Sequence, residues 1–129
     1  MELIYCFANA SLTQRVLIYL LAKVRGLLDC VTVIFLNDRW VIRIRLTSSV
    51  EAERREDCRA FLNENGLPFC PPYAVALALK SLDGGSSPTT VMNRRHVVIV
   101  SHGAPRPEEI RYFQERFVSG LGYRPQSLV

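Results

Sequence analysis

Hydrophobic and polar positions along this chain change rhythm several times, and each change predicts an element. "ELIYCFA" (2–8) is a β-rich, largely apolar run that predicts a strand ending at "NAS". From there the period becomes 3.6. Leu12, Val16, Leu17, Leu20, Leu21, Val24, Leu27 and Leu28 share one helical face, with Thr13, Gln14, Lys23 and Arg25 on the other. Ser11, with Gln14 three residues later, has the form of a capping box, so the helix is expected to start there.

Two further β-rich runs, "CVTVIFL" and "RWVIRIRL", flank Asn37-Asp38 and predict a hairpin. "SSVEAERREDCRAFLNENG" then reads as a second helix, with Ser48 and Glu51 as its capping box and Gly66 as its end. Val50, Cys58, Phe61 and Leu62 give it a narrow apolar stripe. "YAVALALKSL" (73–82) alternates like a strand, but its alanines and the preceding Pro71-Pro72 favour a helix. "DGGSSPTT" reads as a loop, "HVVIVS" (96–101) as a fourth strand, and 108–118 as an amphipathic helix with Ile110, Phe113 and Phe117 inward. Ser119-Gly120 should end that helix, and Leu128 and Val129 of the tail are placed to dock back onto the body.

The order β-α-β-β-α-α-β-α predicts one α/β domain over 1–129. The expected architecture is a two-layer sandwich with a four-stranded sheet and helices on one face. With the two middle helices counted as one, the first six elements follow the ferredoxin-like plan. The second middle helix leaves the direction of the fourth strand open. If it ran parallel to the first strand, the loops holding Asn9 and Ser11, and Ser101 and His102, would meet at one sheet edge, where α/β sheets tend to bind small molecules.

Composition narrows the class. The 129 residues are 49% hydrophobic and 22% charged, the balance of a folded chain. The longest apolar run, "VLIYLLA", is far shorter than the roughly 20 residues of a membrane span, and no secretory leader pattern opens the sequence. A cytoplasmic location and no membrane contact are therefore expected. The four cysteines (Cys6, Cys30, Cys58 and Cys70) lack the short paired spacing of zinc sites and read as reduced structural thiols.

Candidate chemistry begins with the histidines. His96 and His102 lie six positions apart, about 20 Å along a strand, too far to share a metal ion. No metal and no cofactor are expected. "VIVSHG" resembles, over six residues, the strand-then-His-Gly opening of the small cobalt chelatases that act on sirohydrochlorin. The family's serine after His-Gly is Ala104 here, and no residue role is carried over. Ser101 and His102 are neighbours in a strand and point to opposite faces, so they cannot form a nucleophile–base pair. No catalytic constellation emerges, and whether the protein is an enzyme stays open.

The net charge is +4, and fourteen of the sixteen basic residues are arginine, the side chain suited to bidentate contact with phosphate or carboxylate. Along "RWVIRIRL", Trp40, Ile42, Ile44 and Leu46 fall on one face, and Arg39, Val41, Arg43 and Arg45 on the other. Tyr5 and Phe7 alternate along the first strand and are candidates for the arginine side. Arginine beside aromatics on an open sheet suits single-stranded nucleic acid. The expected function is thus a non-catalytic binding or assembly module whose arginine-bearing face meets RNA, an acidic protein surface or a second copy of itself. The bland account of the same stripe is a solvated strand face. Arg94 and Arg95 would extend the basic surface if the fourth strand ran antiparallel to the first. The small-molecule site at Asn9, Ser11, Ser101 and His102 is the alternative.

Overall fold

The computed structural model describes residues 2–47 and 50–121. The chain forms β1 (Glu2–Phe7), α1 (Ala10–Lys23), a short 3-10 turn (Arg25–Leu27), β2 (Leu28–Leu36) and β3 (Arg39–Leu46). These are followed by α2 (Ala52–Asn65), β4 (Leu67–Pro68), α3 (Tyr73–Asp83), α4 (Pro88–Arg95), β5 (Val98–Gly103) and α5 (Pro107–Leu121). The sheet has five strands in the order β4-β1-β3-β2-β5, and every pairing is antiparallel.

This corrects the four-stranded expectation in two ways. A two-residue strand after α2 pairs with β1, through Tyr5↔Pro68 and Cys6↔Leu67. The strand expected at 96–101 runs instead over Val98–Gly103 and adds to the far edge, beside β2. So short a strand as β4 carries no period, and only its partner makes it one.

Local signals explain most elements. Asn37 and Asp38 both have positive φ (49° and 62°), the conformation of a type I′ turn, and so close the β2–β3 hairpin in register. α1 begins earlier than Ser11. The Asn9 side chain accepts from the Leu12 N–H at 2.9 Å and is the cap, while Ser11 is an exposed residue inside the helix. Ser48 lies outside the described residues; α2 starts after Glu51 without a side-chain cap. Leu128 and Val129 also lie outside them, as does the side chain of Phe117, and α5 runs through Ser119-Gly120 to Leu121. Within "DGGSSPTT" the loop expectation fails. Ser87 caps the Thr90 N–H at 3.2 Å and Pro88 fits the first turn, so α4 forms there. It ends at His96, whose left-handed φ of 58° makes it a helix cap and not a strand residue.

Helices cover both faces of the sheet, which makes the molecule three-layered rather than two-layered. Against one face α1, α2 and α5 bury Val16, Leu17, Leu20, Cys58, Leu62 and Ile110 onto Leu3, Phe7, Trp40, Ile42 and Ile44. α5 is seated by an aromatic cluster, with Phe113 and Phe35 each 5.4 and 5.2 Å from Trp40, centroid to centroid. Against the other face α3 and α4 bury Val75, Ala78, Leu79, Leu82 and Val91 onto Ile34, Val41 and Ile99. Each such fully buried aliphatic side chain contributes about 1.5–3 kcal/mol.

Where α2 turns into β4, Gly66 lies so close to β1 that a Cβ there would strike the Cys6 carbonyl oxygen and the Phe7 ring. Its backbone is extended, so the demand is for space and not for a special dihedral. Gly66→Ala should therefore destabilise the fold by about 3 kcal/mol, read as a lower urea midpoint with an unchanged slope.

Candidate functional site

The sheet has two ends. At the hairpin end the rows run Phe7–Trp40–Phe35–Val98; at the other, Glu2–Arg45–Cys30, with Thr32 opposite His102 two rows in. β1 therefore finishes at the hairpin end and β5 finishes at the other, with β3 and β2 between them. Asn9 and Ser11 lie past the hairpin end of β1, whereas Ser101 and His102 lie near the opposite end of β5. The four do not meet, and the small-molecule site proposed for them loses its geometry. The cause is the edge that β5 joins and its antiparallel pairing with β2, which the local pattern does not specify.

The register settles which side chains share the arginine face. Tyr5 pairs with Ile42 and Phe7 with Trp40, so both aromatics stand with the α1–α2 core and not with the arginines. Tyr5 donates its hydroxyl hydrogen to Asn63 Oδ1 at 2.8 Å, and Phe7 is buried. Neither can stack on a base. Arg39, Val41, Arg43 and Arg45 do share the opposite face, but α3 lies across its middle. Both faces carry helices, so the expected association of two copies through the arginine-bearing face would meet α3 across its middle.

Arg43 is only 2% exposed, at the centre of a polar cluster under the C-terminus of α3. Its Nη1 donates to Asp83 Oδ2 at 2.8 Å and its Nη2 lies 2.8 Å from Oδ1, a bidentate pair. Arg45 donates to Asp83 Oδ1 at 3.0 Å and also approaches Asp29 at 3.9 Å; Glu2 lies 3.7 Å from Arg43. Two guanidiniums thus meet three carboxylates. The stripe that looked free in sequence is largely neutralised by the protein itself. An acid at the last residue of a helix opposes the helix dipole; here the two arginines outweigh that penalty.

A chain of polar groups leaves Arg43 for β5. Arg43 Nη2 donates to Thr32 Oγ1 at 3.3 Å, which commits that oxygen as acceptor. Thr32 Oγ1 in turn lies 2.8 Å from His102 Nδ1, a hydrogen bond that either group can donate, according to the tautomer of the ring. Cys30 Sγ lies 3.7 Å from Nδ1 and 3.9 Å from Nε2 of the same ring. Cys30 had read as a structural thiol and His102 as a lone strand-end histidine. Seventy-two residues separate them, and no sequence spacing pairs them.

Charge and burial act on the ionisable members. Burial holds His102 below its ordinary value of 6.5; Arg43 and Arg45 push the same way, and Asp83 opposes them. For Asp83, burial works against the carboxylate, but the Arg43 hydrogen bond and the charges of Arg43, Arg45 and His102 outweigh it. The carboxyl sits below its ordinary value of 3.8. No group of three or more metal-ligating side chains lies close enough to hold an ion among the described residues.

At the hairpin end the same face stays open. A groove of about 370 Å³ is lined by Leu36, Asn37, Arg39, Val41, Phe69, Cys70 and Pro72. Arg39 is exposed at its lip, and Tyr73, next in sequence to Pro72, is 79% exposed. Arg94 and Arg95 close α4 just before Val98, which pairs with Phe35 at this end. β5 does run antiparallel to β1, so the two arginines fall at the end of the sheet where β1 finishes. Asp38, in the hairpin turn, is the acid nearest in sequence to Arg39.

No described helix is long and apolar enough to cross a membrane. No protein-family model matches the chain, and no curated protein matches it. Among solved structures, the crystal structure of the C-terminal domain of YpbH is similar with a TM-score of 0.45 and 17% identity, over 56% of this chain and 72% of that one.

Removing one partner of the buried pair should be costly. Asp83→Ala leaves Arg43 buried with a single distant carboxylate and should lose about 3 kcal/mol. Arg43→Met, which orphans no buried charge, should lose less; equilibrium unfolding of the two variants checks the order. A pH series separates the titrating groups. His102 is depressed in the folded state, so below 6.5 the unfolded chain binds more protons, and stability falls as pH drops through that window. Asp83 adds its own loss only at more acid pH, below 3.8. Thermal unfolding of His102→Asn should lack the first decline and keep the second.

Proposed function

We propose that the protein is a non-catalytic binding module that holds an acidic protein segment bearing apolar side chains, in the groove between the β2–β3 hairpin and the proline-rich entry to α3. The observation that carries this reading is the exposed guanidinium of Arg39 at the lip of a groove whose floor is Leu36, Val41, Phe69 and Pro72. Apolar floor and cationic lip together suit a chain that inserts a hydrophobic side chain and flanks it with carboxylates. Exposed Tyr73 supplies amphipathic contact surface beside it. Arg94 and Arg95 extend the positive field along the same end. RNA is the weaker occupant. Of the arginines on the sheet face, Arg43 is consumed by Asp83 and Arg45 is shared with it, and the strand-one aromatics are in the core.

The fold supports a module of this kind. β1-α1-β2-β3-α2-β4, with strand order β4-β1-β3-β2, reads as a ferredoxin-like unit to which α3, α4, β5 and α5 are appended. The segment leading into the appended α3, with Phe69, Cys70 and Pro72, forms one wall of the groove. Four cysteines without a disulfide among them favour a reducing, cytoplasmic setting.

Fluorescence anisotropy with a labelled peptide alternating Glu and Leu, and in parallel a labelled oligouridylate, distinguishes the occupants. The peptide should bind in a salt-sensitive manner, and Arg39→Glu should weaken it about tenfold. Binding of the oligouridylate alone, or peptide binding indifferent to Arg39→Glu, would overturn the reading.

A further inference from the structure

The two edges of the sheet are built differently. On one side the edge strand is β4, only two residues long, and one of them is Pro68, which has no N–H to offer. On the other side the edge strand is β5, six residues without a proline, a lysine, an arginine or an acid. Its inner side pairs with β2, and the hydrogen bond between Thr32 and His102 ties it there at 2.8 Å. Among the described residues no strand pairs with its outer side, which leaves a row of backbone N–H and C=O groups without a ladder partner. Val98, at the start of the strand, is apolar and still 42% exposed.

That outer side is a groove of about 400 Å³. Its floor is β5 itself over 99–102; Pro88 and Met92 of α4 form one wall, and Arg106 and Glu109, around the start of α5, form the other. The walls stand on opposite faces of the sheet, because α4 packs with Ile34 and Ile99 and α5 with Trp40 and Ile44. Their chemistry differs. The α4 wall is apolar, whereas Arg106 and Glu109 lie 3.5 Å apart as an ion pair, polar but without net charge.

We propose that β5 receives an extended peptide segment of a partner as a sixth strand, one that alternates apolar β-branched and uncharged polar side chains. A row of backbone donors and acceptors is matched in spacing by another strand. Successive side chains of that strand point to opposite faces, so alternate ones meet Pro88 and Met92 and those between meet the Arg106–Glu109 pair. The first set is therefore apolar and the second polar, and the neutralised pair calls for no charge. A second copy of the chain fits this edge less well. It would bring its own α4 and β5–α5 turn to the same place, wall against wall. In addition, Ser101 lies opposite Val33 and Ile99 opposite Ile34, so Val100 is the extra residue of a bulge, and a bulged edge is twisted away from flat pairing of two sheets. A short single segment can follow that bend.

Fluorescence anisotropy of the intact protein with a labelled short peptide alternating Val and Thr tests the assignment. In an extended peptide the N–H groups of alternate residues lie along one edge, and only one edge can face β5. N-methylation along that edge should weaken binding about tenfold, and N-methylation along the other should leave it unchanged, with identical side chains in both. Met92→Glu should weaken the unmodified peptide to a similar extent; the methylated peptides keep the test valid if that variant does not fold. Failure of the unmodified peptide to bind, or equal affinity of the two methylated forms, would overturn the assignment. So would a dimer of the free protein that the peptide takes apart in analytical ultracentrifugation, which would give the edge to a second copy.

Discussion

The buried pairing of Arg43 with Asp83 is the constraint on which the second half of the structure rests. Arg43 stands on β3, the central strand, and cannot leave the protein interior without unpairing the sheet. A guanidinium in such a place must find a carboxylate, because an unpaired buried charge costs several kcal/mol. Asp83, the last residue of α3, is that carboxylate. The pair therefore pins the C-terminus of α3 over the middle of the sheet. The apolar face of α3, Val75, Ala78, Leu79 and Leu82, then closes over Ile34 and Val41. With α3 anchored, α4 follows beside it, and β5 joins the free edge of β2.

The same guanidinium acts in a second direction. By donating to Thr32 it holds the hydroxyl that hydrogen-bonds His102 Nδ1 on β5. One buried charge thus organises both the packing of α3 and a polar chain that crosses β2 to β5. It also divides the arginine face. Arg43 and Arg45 serve the interior of the molecule at one end, while Arg39, beyond the reach of α3's terminus, keeps its guanidinium for the hairpin-end groove.

Much of the fold was legible before any tertiary contact was considered. α1 follows from leucines at 3.6-residue spacing, and the hairpin from two turn-prone residues between β-rich runs. α3 resolved in favour of its alanines and proline entry over its alternating pattern. The missed helix α4 had its signal in plain view, since Ser87 followed by Pro88 is a cap and a first-turn proline. It was masked by the glycines before it and by the lack of an apolar period in eight residues. β4 had no signal to miss: Pro68 and Leu67 become a strand only because β1 offers an edge. The functional groups were legible one at a time. Arg43 and His102 each drew notice, but their partners, Asp83 at the end of α3 and Cys30 at the start of β2, lie 40 and 72 residues away.

What the sequence by itself determined is the set of local choices: where the backbone helps itself to a helix or strand, and which residues share a face. Those follow from periodicity, capping and turn chemistry, all of which act over a few residues. The tertiary structure alone decided that helices cover both faces, that β5 joins β2 and runs against β1, and that a stripe of arginines is half interior. These outcomes turn on burial and on charge pairing between distant segments. Arg43 has the same sequence neighbours whether it meets solvent, RNA or Asp83, and only the packing of α3 makes the choice.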